Sequence, residues 1–158
     1  MTWRGSATAS DRIFASLPYL LPLVDGVVFG SNLFNQFPAV GAVFLPLIQL
    51  AQIYNSIPFV GLIIFFALFL LVIRNENISH FIRFNTMQAI LLDIVIFLFS
   101  IFMQILRPVP GAGFAIETLA NTLFLGIVAA VVYAVAQSLL GRYAEIPAIS
   151  DAVRMQVP

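Results

Sequence analysis

HFIRFNTMQAILLDI, residues 80–94, gathers His80, Arg83, Asn85, Gln88 and Asp93 at the head of an apolar run that continues to Leu106. A surface helix would repeat its polar residues every three to four positions along one face. Here they nearly stop at Asp93, and thirteen residues between Ala89 and Leu106 are Leu, Ile, Val or Phe. Each of these returns about 0.3–0.6 kcal/mol on membrane-insertion scales, roughly 4–8 kcal/mol together, against about 2.5–3.5 kcal/mol for one central aspartate. The stretch therefore reads as the head of a membrane-spanning helix that carries one acid into the bilayer.

The rest of the chain agrees. Its 158 residues are 61% hydrophobic and 9% charged, with a mean hydropathy of +1.05, whereas soluble domains carry about a quarter charged residues. Only helices and closed barrels satisfy their backbone in lipid. Strict two-residue alternation is missing, so the expected fold is an all-α integral membrane domain. There is no lysine and the formal net charge is zero, which removes the basic footprint of a nucleic-acid binder. The absence of cysteine and the single histidine argue against thiol chemistry and against a metal site built from those ligands.

Four spans are expected, at about 13–31, 57–73, 87–106 and 114–140, the third by counting some 20 residues back from Arg107. Between the first two, Gln49, Gln52, Asn55 and Ser56 recur at helical spacing, so 46–56 is expected as an amphipathic helix on the outer face. The first span follows Arg4 and Arg12 as a signal peptide would. No small-residue cleavage site follows it, so a retained span is expected. Arg4, Arg12, Arg74, Arg83, Arg142 and Arg154 fall on one side of this arrangement and Arg107 on the other. By the positive-inside rule both termini lie on the inner side. Trp3, Tyr54 and Tyr143 are expected near the interfaces.

Depth assigns the polar residues. With a helix start near Met87, His80, Arg83 and Asn85 lie at the inner interface, where arginine reaches headgroups cheaply. Ser79 is then the helix cap. Asp93 lies about six residues inside, or roughly 9 Å. Its expected partners at matching depth are Tyr133 and Tyr19, with Gln88 and Gln137 nearer the inside. The alternative is a lone acid bonded to a neighbouring hydroxyl. Asp25, beyond Pro18 and Pro22 in a kinked first helix, is a second buried acid in the outer half, with Gln104, Glu117, Asn121 and Thr122 as candidate neighbours. Gly26 and Gly30, and the ridge Gly126, Ala130, Ala134 and Ser138, mark close helix approach within the bundle or in a homo-oligomer. No nucleophile–base set, metal-ligand motif or phosphate loop is present, so neither catalytic residues nor a cofactor are expected.

Residues 80–94 also resemble the signature of the twenty-kilodalton subunit of the translocon at the inner envelope membrane of chloroplasts and its cyanobacterial relatives. Arg83-Phe84-Asn85, Met87-Gln88-Ala89 and Leu92-Asp93 carry the match, and Arg12 to Pro22 is similar to that family's opening. The resemblance implies four spans and a subunit of a preprotein translocation machine, with a contribution to its conducting channel as the expectation. It implies membrane-protein and preprotein partners, and a place in the plastid inner envelope or a cyanobacterial membrane. With no transit peptide in view, a cyanobacterial or plastid-encoded relative is expected. Two other readings stay open: a structural or assembly subunit of a photosynthetic membrane complex, and a small ion or solute transporter using Asp93 and Asp25.

Overall fold

The computed structural model describes residues 6–158; Trp3 and Arg4 lie outside that range. Among the described residues there are six helices: α1 (Ala9–Gln36), α2 (Pro38–Ser56), α3 (Val60–Ile73), α4 (His80–Leu106), α5 (Gly113–Leu139) and α6 (Ile149–Gln156). Helices α1, α2, α4 and α5 are long and apolar enough to cross a membrane. The chain is an all-α integral membrane protein.

Local chemistry sets the helix starts. Thr8 opens α1 with a reciprocal cap, accepting from the Asp11 amide at 3.2 Å while Asp11 Oδ2 accepts from the Thr8 amide at 3.1 Å. Ser79 caps α4 by accepting from the Ile82 amide at 3.4 Å. The expected irregularity of α1 takes the form of 3-10 turns over Leu17–Tyr19, which contains Pro18, and over Val27–Gly30. A proline removes an amide donor and crowds the preceding turn, so the winding changes there.

Several expected boundaries move. The first span extends to Ala9–Gln36 and the fourth lies at Gly113–Leu139. The third begins at His80, not near Met87, and its 27 residues reach about 40 Å. Counting back from Arg107 misses those first two turns because Asn85 looks interfacial in sequence, whereas it is fully buried.

The region 46–56 is the second half of a longer helix that opens with Pro38 at its first turn, where a missing amide costs nothing. Helix α2 also does more than cover the bundle's end. After the chain folds back at Phe37, Phe44 stacks on Phe34, Ala51 packs with Val24 and Val27, and Tyr54 reaches Asp25. Thus α2 runs antiparallel along α1 and ends level with its middle. Phe59, at φ 60, breaks the helix there. From that break α3 continues as a 14-residue helix, about 21 Å long and shorter than the 57–73 expected. Its terminal Ile73 carbonyl accepts from Arg83 Nε at 2.8 Å. Helices α2 and α3 therefore return the chain as one broken descent.

The arginines collect as the charge pattern requires. Arg12 lies against Gly141, Arg83 on Ile73, and Arg154 over the Phe84 ring, all at one end of the bundle. Arg107 follows α4 at the other end. Between these ends, α1 seats on α5 through glycine. A Cβ on Gly26 would meet Ile127 at 3.3 Å, and one on Gly30 would meet Phe124 at 2.9 Å.

The C-terminal segment is not a free tail. Helix α6 folds back on the head of α4, where Val153 and Val157 are fully buried with Phe84, Met87 and Ile90. His80 pins it further, its ring nitrogens lying 2.9 Å from the Tyr143 hydroxyl and 3.1 Å from the Val157 carbonyl.

Candidate functional site

Two polar centres lie inside this apolar frame. The first closes the arginine-rich end. Asn85 and Gln88 are one turn apart on α4, so both face the same neighbours. Asn85 Oδ1 accepts from Tyr19 at 2.7 Å and from Ser138 at 3.0 Å, while its amide donates to the Phe81 carbonyl at 2.9 Å. Gln88 donates to the Tyr19 hydroxyl at 3.0 Å and to the Ala144 carbonyl at 3.5 Å, and its Oε1 accepts from Ser150 at 2.6 Å. The three side-chain partners, Tyr19, Ser138 and Ser150, come from other elements: α1, α5 and α6. Tyr19, Asn85, Gln88 and Ser138 are fully buried.

A buried amide without partners costs several kcal/mol in hydrocarbon, so this layer is stable only with every element docked. Interhelical bonds in membranes average about 0.6 kcal/mol each. The layer's larger effect is therefore to exclude arrangements that leave Asn85 or Gln88 unpaired. Buried side chains from α1, α4, α5 and α6 fill it.

The second centre sits at mid-span. Asp93 is the midpoint of α4, and Asp25 lies just past the middle of α1. The two carboxyls meet within hydrogen-bond reach, and Tyr54 donates to Asp25 Oδ2 at 3.3 Å. Asp93 Oδ1 is buried without a hydrogen-bond partner. Beside the pair, the α2–α3 break and α4 enclose a laterally open cavity of about 900 Å³, whose wall includes Asp25, Tyr54, Asn55, Phe59, Asp93 and Ser100. Helix breaks at membrane depth are tolerated where they line a cavity or are buried in protein.

These placements sort the expected residues. The expected layer of Asp93, Tyr133, Tyr19, Gln88 and Gln137 does not form as one group. Tyr19 and Gln88 join Asn85, while Asp93 pairs with Asp25. Tyr133 is largely exposed, its hydroxyl accepting from the Glu145 amide at 3.3 Å. Gln137 is half-buried outside the layer. The cause is depth: a start at His80 moves Asp93 to the helix midpoint, level with Asp25 instead of Tyr133. Tyr54 belongs to this mid-span group and not to an interface. Asn121 Oδ1 is buried without a partner, and the acid beside Asp25 is Asp93, not Glu117.

Within the motif, Arg83 faces the end of α3 and Phe84 packs under α6. The small-residue ridge divides: Ala134 and Ser138 are fully buried, Ala130 is half-buried, and nothing lies within 4 Å of a Cβ on Gly126. Ser138 and Ser150 are the polar partners that sequence reasoning missed. Helix α6 has only eight residues and no apolar run to announce it. Among the described residues no three His, Cys, Asp or Glu side chains converge.

A family profile described as chloroplast import apparatus Tic20-like matches residues 9–153. The chain is 48% identical over 158 residues to a Tic20 family protein of Synechocystis sp., covering 99% of each chain. It is 34% identical to Protein TIC 20-II, chloroplastic, of Arabidopsis thaliana, covering 99% of this chain and 78% of that one. It is also 34% identical to the Tic20 family protein Ycf60 of Porphyra purpurea, over 99% and 80% of the two chains.

Proposed function

Because the chain belongs to the Tic20-like family of the chloroplast import apparatus, we propose that it is a non-enzymatic membrane subunit of a protein-translocating assembly. The observation that carries this reading is the extent of the match. Residues 9–153 include α1 to α5, both polar centres and most of α6. The same reading places it in a plastid inner envelope or a cyanobacterial membrane, with both termini on the arginine-rich, cytoplasmic or stromal side.

How such a subunit contributes follows from its packing. The layer of Tyr19, Asn85, Gln88, Ser138 and Ser150 fills one end of the bundle, so a polypeptide has no private path through it. The lateral cavity beside Asp25 and Asp93 is the opening of suitable size and polarity. A passing segment would meet carboxyls and the Tyr54 hydroxyl on this side, with a partner subunit or a second copy completing the wall.

Purification from native membranes tests the reading. Translocon subunits and preproteins are expected to co-purify. Recovery with pigment–protein complexes and no preprotein would contradict it.

A further inference from the structure

A second lateral cleft, of about 560 Å³, opens on the arginine-rich half of the bundle. It is lined by apolar side chains that include Leu17, Leu21, Leu68, Val72 and Ile82. Only two lining side chains carry polar atoms, Tyr54 and Thr86, and both spend them internally. Thr86 Oγ1 donates to the Ile82 carbonyl at 2.8 Å, and Tyr54 donates to Asp25. The cleft therefore offers a hydrocarbon wall and no donor in need of water, unlike the cavity beside Asp93.

Its length and its rim identify an occupant. It runs from Tyr54, level with the middle of α1, to Val72, Ile78 and Ile82 near the ends of α3 and α4, which is about one leaflet of the bilayer. Two arginines follow closely on lining residues at that end, Arg74 two positions after Val72 and Arg83 next to Ile82. Arg74, immediately after α3, lies 5.0 Å from the centre of the Phe69 ring. Arg83, next to Ile82, is turned onto the Ile73 carbonyl. Among the described residues the salt bridges are those of Arg154 with Glu145 and Asp151. The exposed Glu76 in the intervening turn pairs with neither rim arginine. Basic rims over clefts between membrane helices on this side suit anionic headgroups.

We propose that the cleft holds an acyl chain of an anionic membrane lipid, whose headgroup rests on Arg74 and Arg83.

The test uses the purified full chain, delipidated in mild detergent and returned to micelles containing phosphatidylglycerol or phosphatidylcholine. Native mass spectrometry counts retained lipid, and thermal unfolding reports stabilisation. Phosphatidylglycerol is expected to be retained preferentially and to raise the unfolding temperature more. Arg74→Gln is the first probe, because the Arg74 guanidinium donates no hydrogen bond to the protein and touches only the Phe69 ring. With Arg83→Gln it should reduce retention by about tenfold, while Arg83→Lys should retain most of it. Leu68→Trp, which fills the cleft, should displace the lipid without touching the arginines. The lipid-free unfolding temperature of each variant separates lost binding from lost folding. Equal retention of the two lipids, or retention unchanged in both Arg74→Gln and Leu68→Trp, would overturn the proposal.

Discussion

Asp25 and Asp93, 68 positions apart in the chain, meet at the middle of α1 and α4. The sequence points each acid to other partners. Their pairing with Tyr54 joins three helices at the point where the α2–α3 descent is broken. That point is also where the bundle opens sideways.

Removing either acid should leave the other with one partner fewer in an apolar setting, at a cost of about 1–3 kcal/mol. Asp25→Ala and Asp93→Ala should each lower the unfolding temperature in detergent. The double variant should cost less than the sum, because residues in one network couple by about 0.5–3 kcal/mol. Strict additivity would show that the contact has no energetic content.

Ser150→Ala removes the donor to Gln88 Oε1 and the tie to the Ala144 carbonyl. Helix α6 should loosen before the membrane core does. Limited proteolysis should therefore cut within Ile149–Gln156 several-fold faster than in the parent, with α1 to α5 still protected. Unchanged cleavage would mean that Val153 and Val157 hold the segment alone.

The two glycine patterns should respond in opposite ways. On Gly30 a methyl group would stand 2.7 Å from Phe34 and 2.9 Å from Phe124, and overpacking of this kind costs about 1–3 kcal/mol. Gly126 has open space, and replacing a mid-helix glycine by alanine gains up to about 1 kcal/mol. Gly30→Ala should lower the unfolding temperature and Gly126→Ala should hold or raise it. A Gly126→Ala variant that loses stability or changes assembly state would point to a second copy on that face.

Orientation has a direct test because the chain contains no cysteine. Single cysteines at Asp151 and at Val109 should label from opposite sides of sealed membranes, with Asp151 on the cytoplasmic or stromal side. Labelling of both from one side would overturn the topology drawn from the arginines.

How much of this was legible in the sequence depends on range. The helical class, the Ser79 cap and the arginine asymmetry rest on local composition, and the structure places them accordingly. Asn85 reads as interfacial and Gln88 as a neighbour of Asp93 because the groups that satisfy them are Tyr19, Ser138 and Ser150, far along the chain. Once those supply the hydrogen bonds, burial is inexpensive and α4 begins about two turns earlier than hydropathy suggests. The Asp25–Asp93 pair was hidden for the same reason: the seven-residue difference in helix start shifted the apparent depth of Asp93 by about 10 Å.

Site-specific photocrosslinking in native membranes carrying an arrested preprotein tests the central claim, that polypeptide passes along the mid-span cavity and not through the bundle. Probes replace Val28 and Phe97 in the cavity wall and Gln88 in the buried layer. The account expects preprotein adducts from Val28 and Phe97 and none from Gln88. Adducts from Gln88, or none from either cavity position, would contradict it.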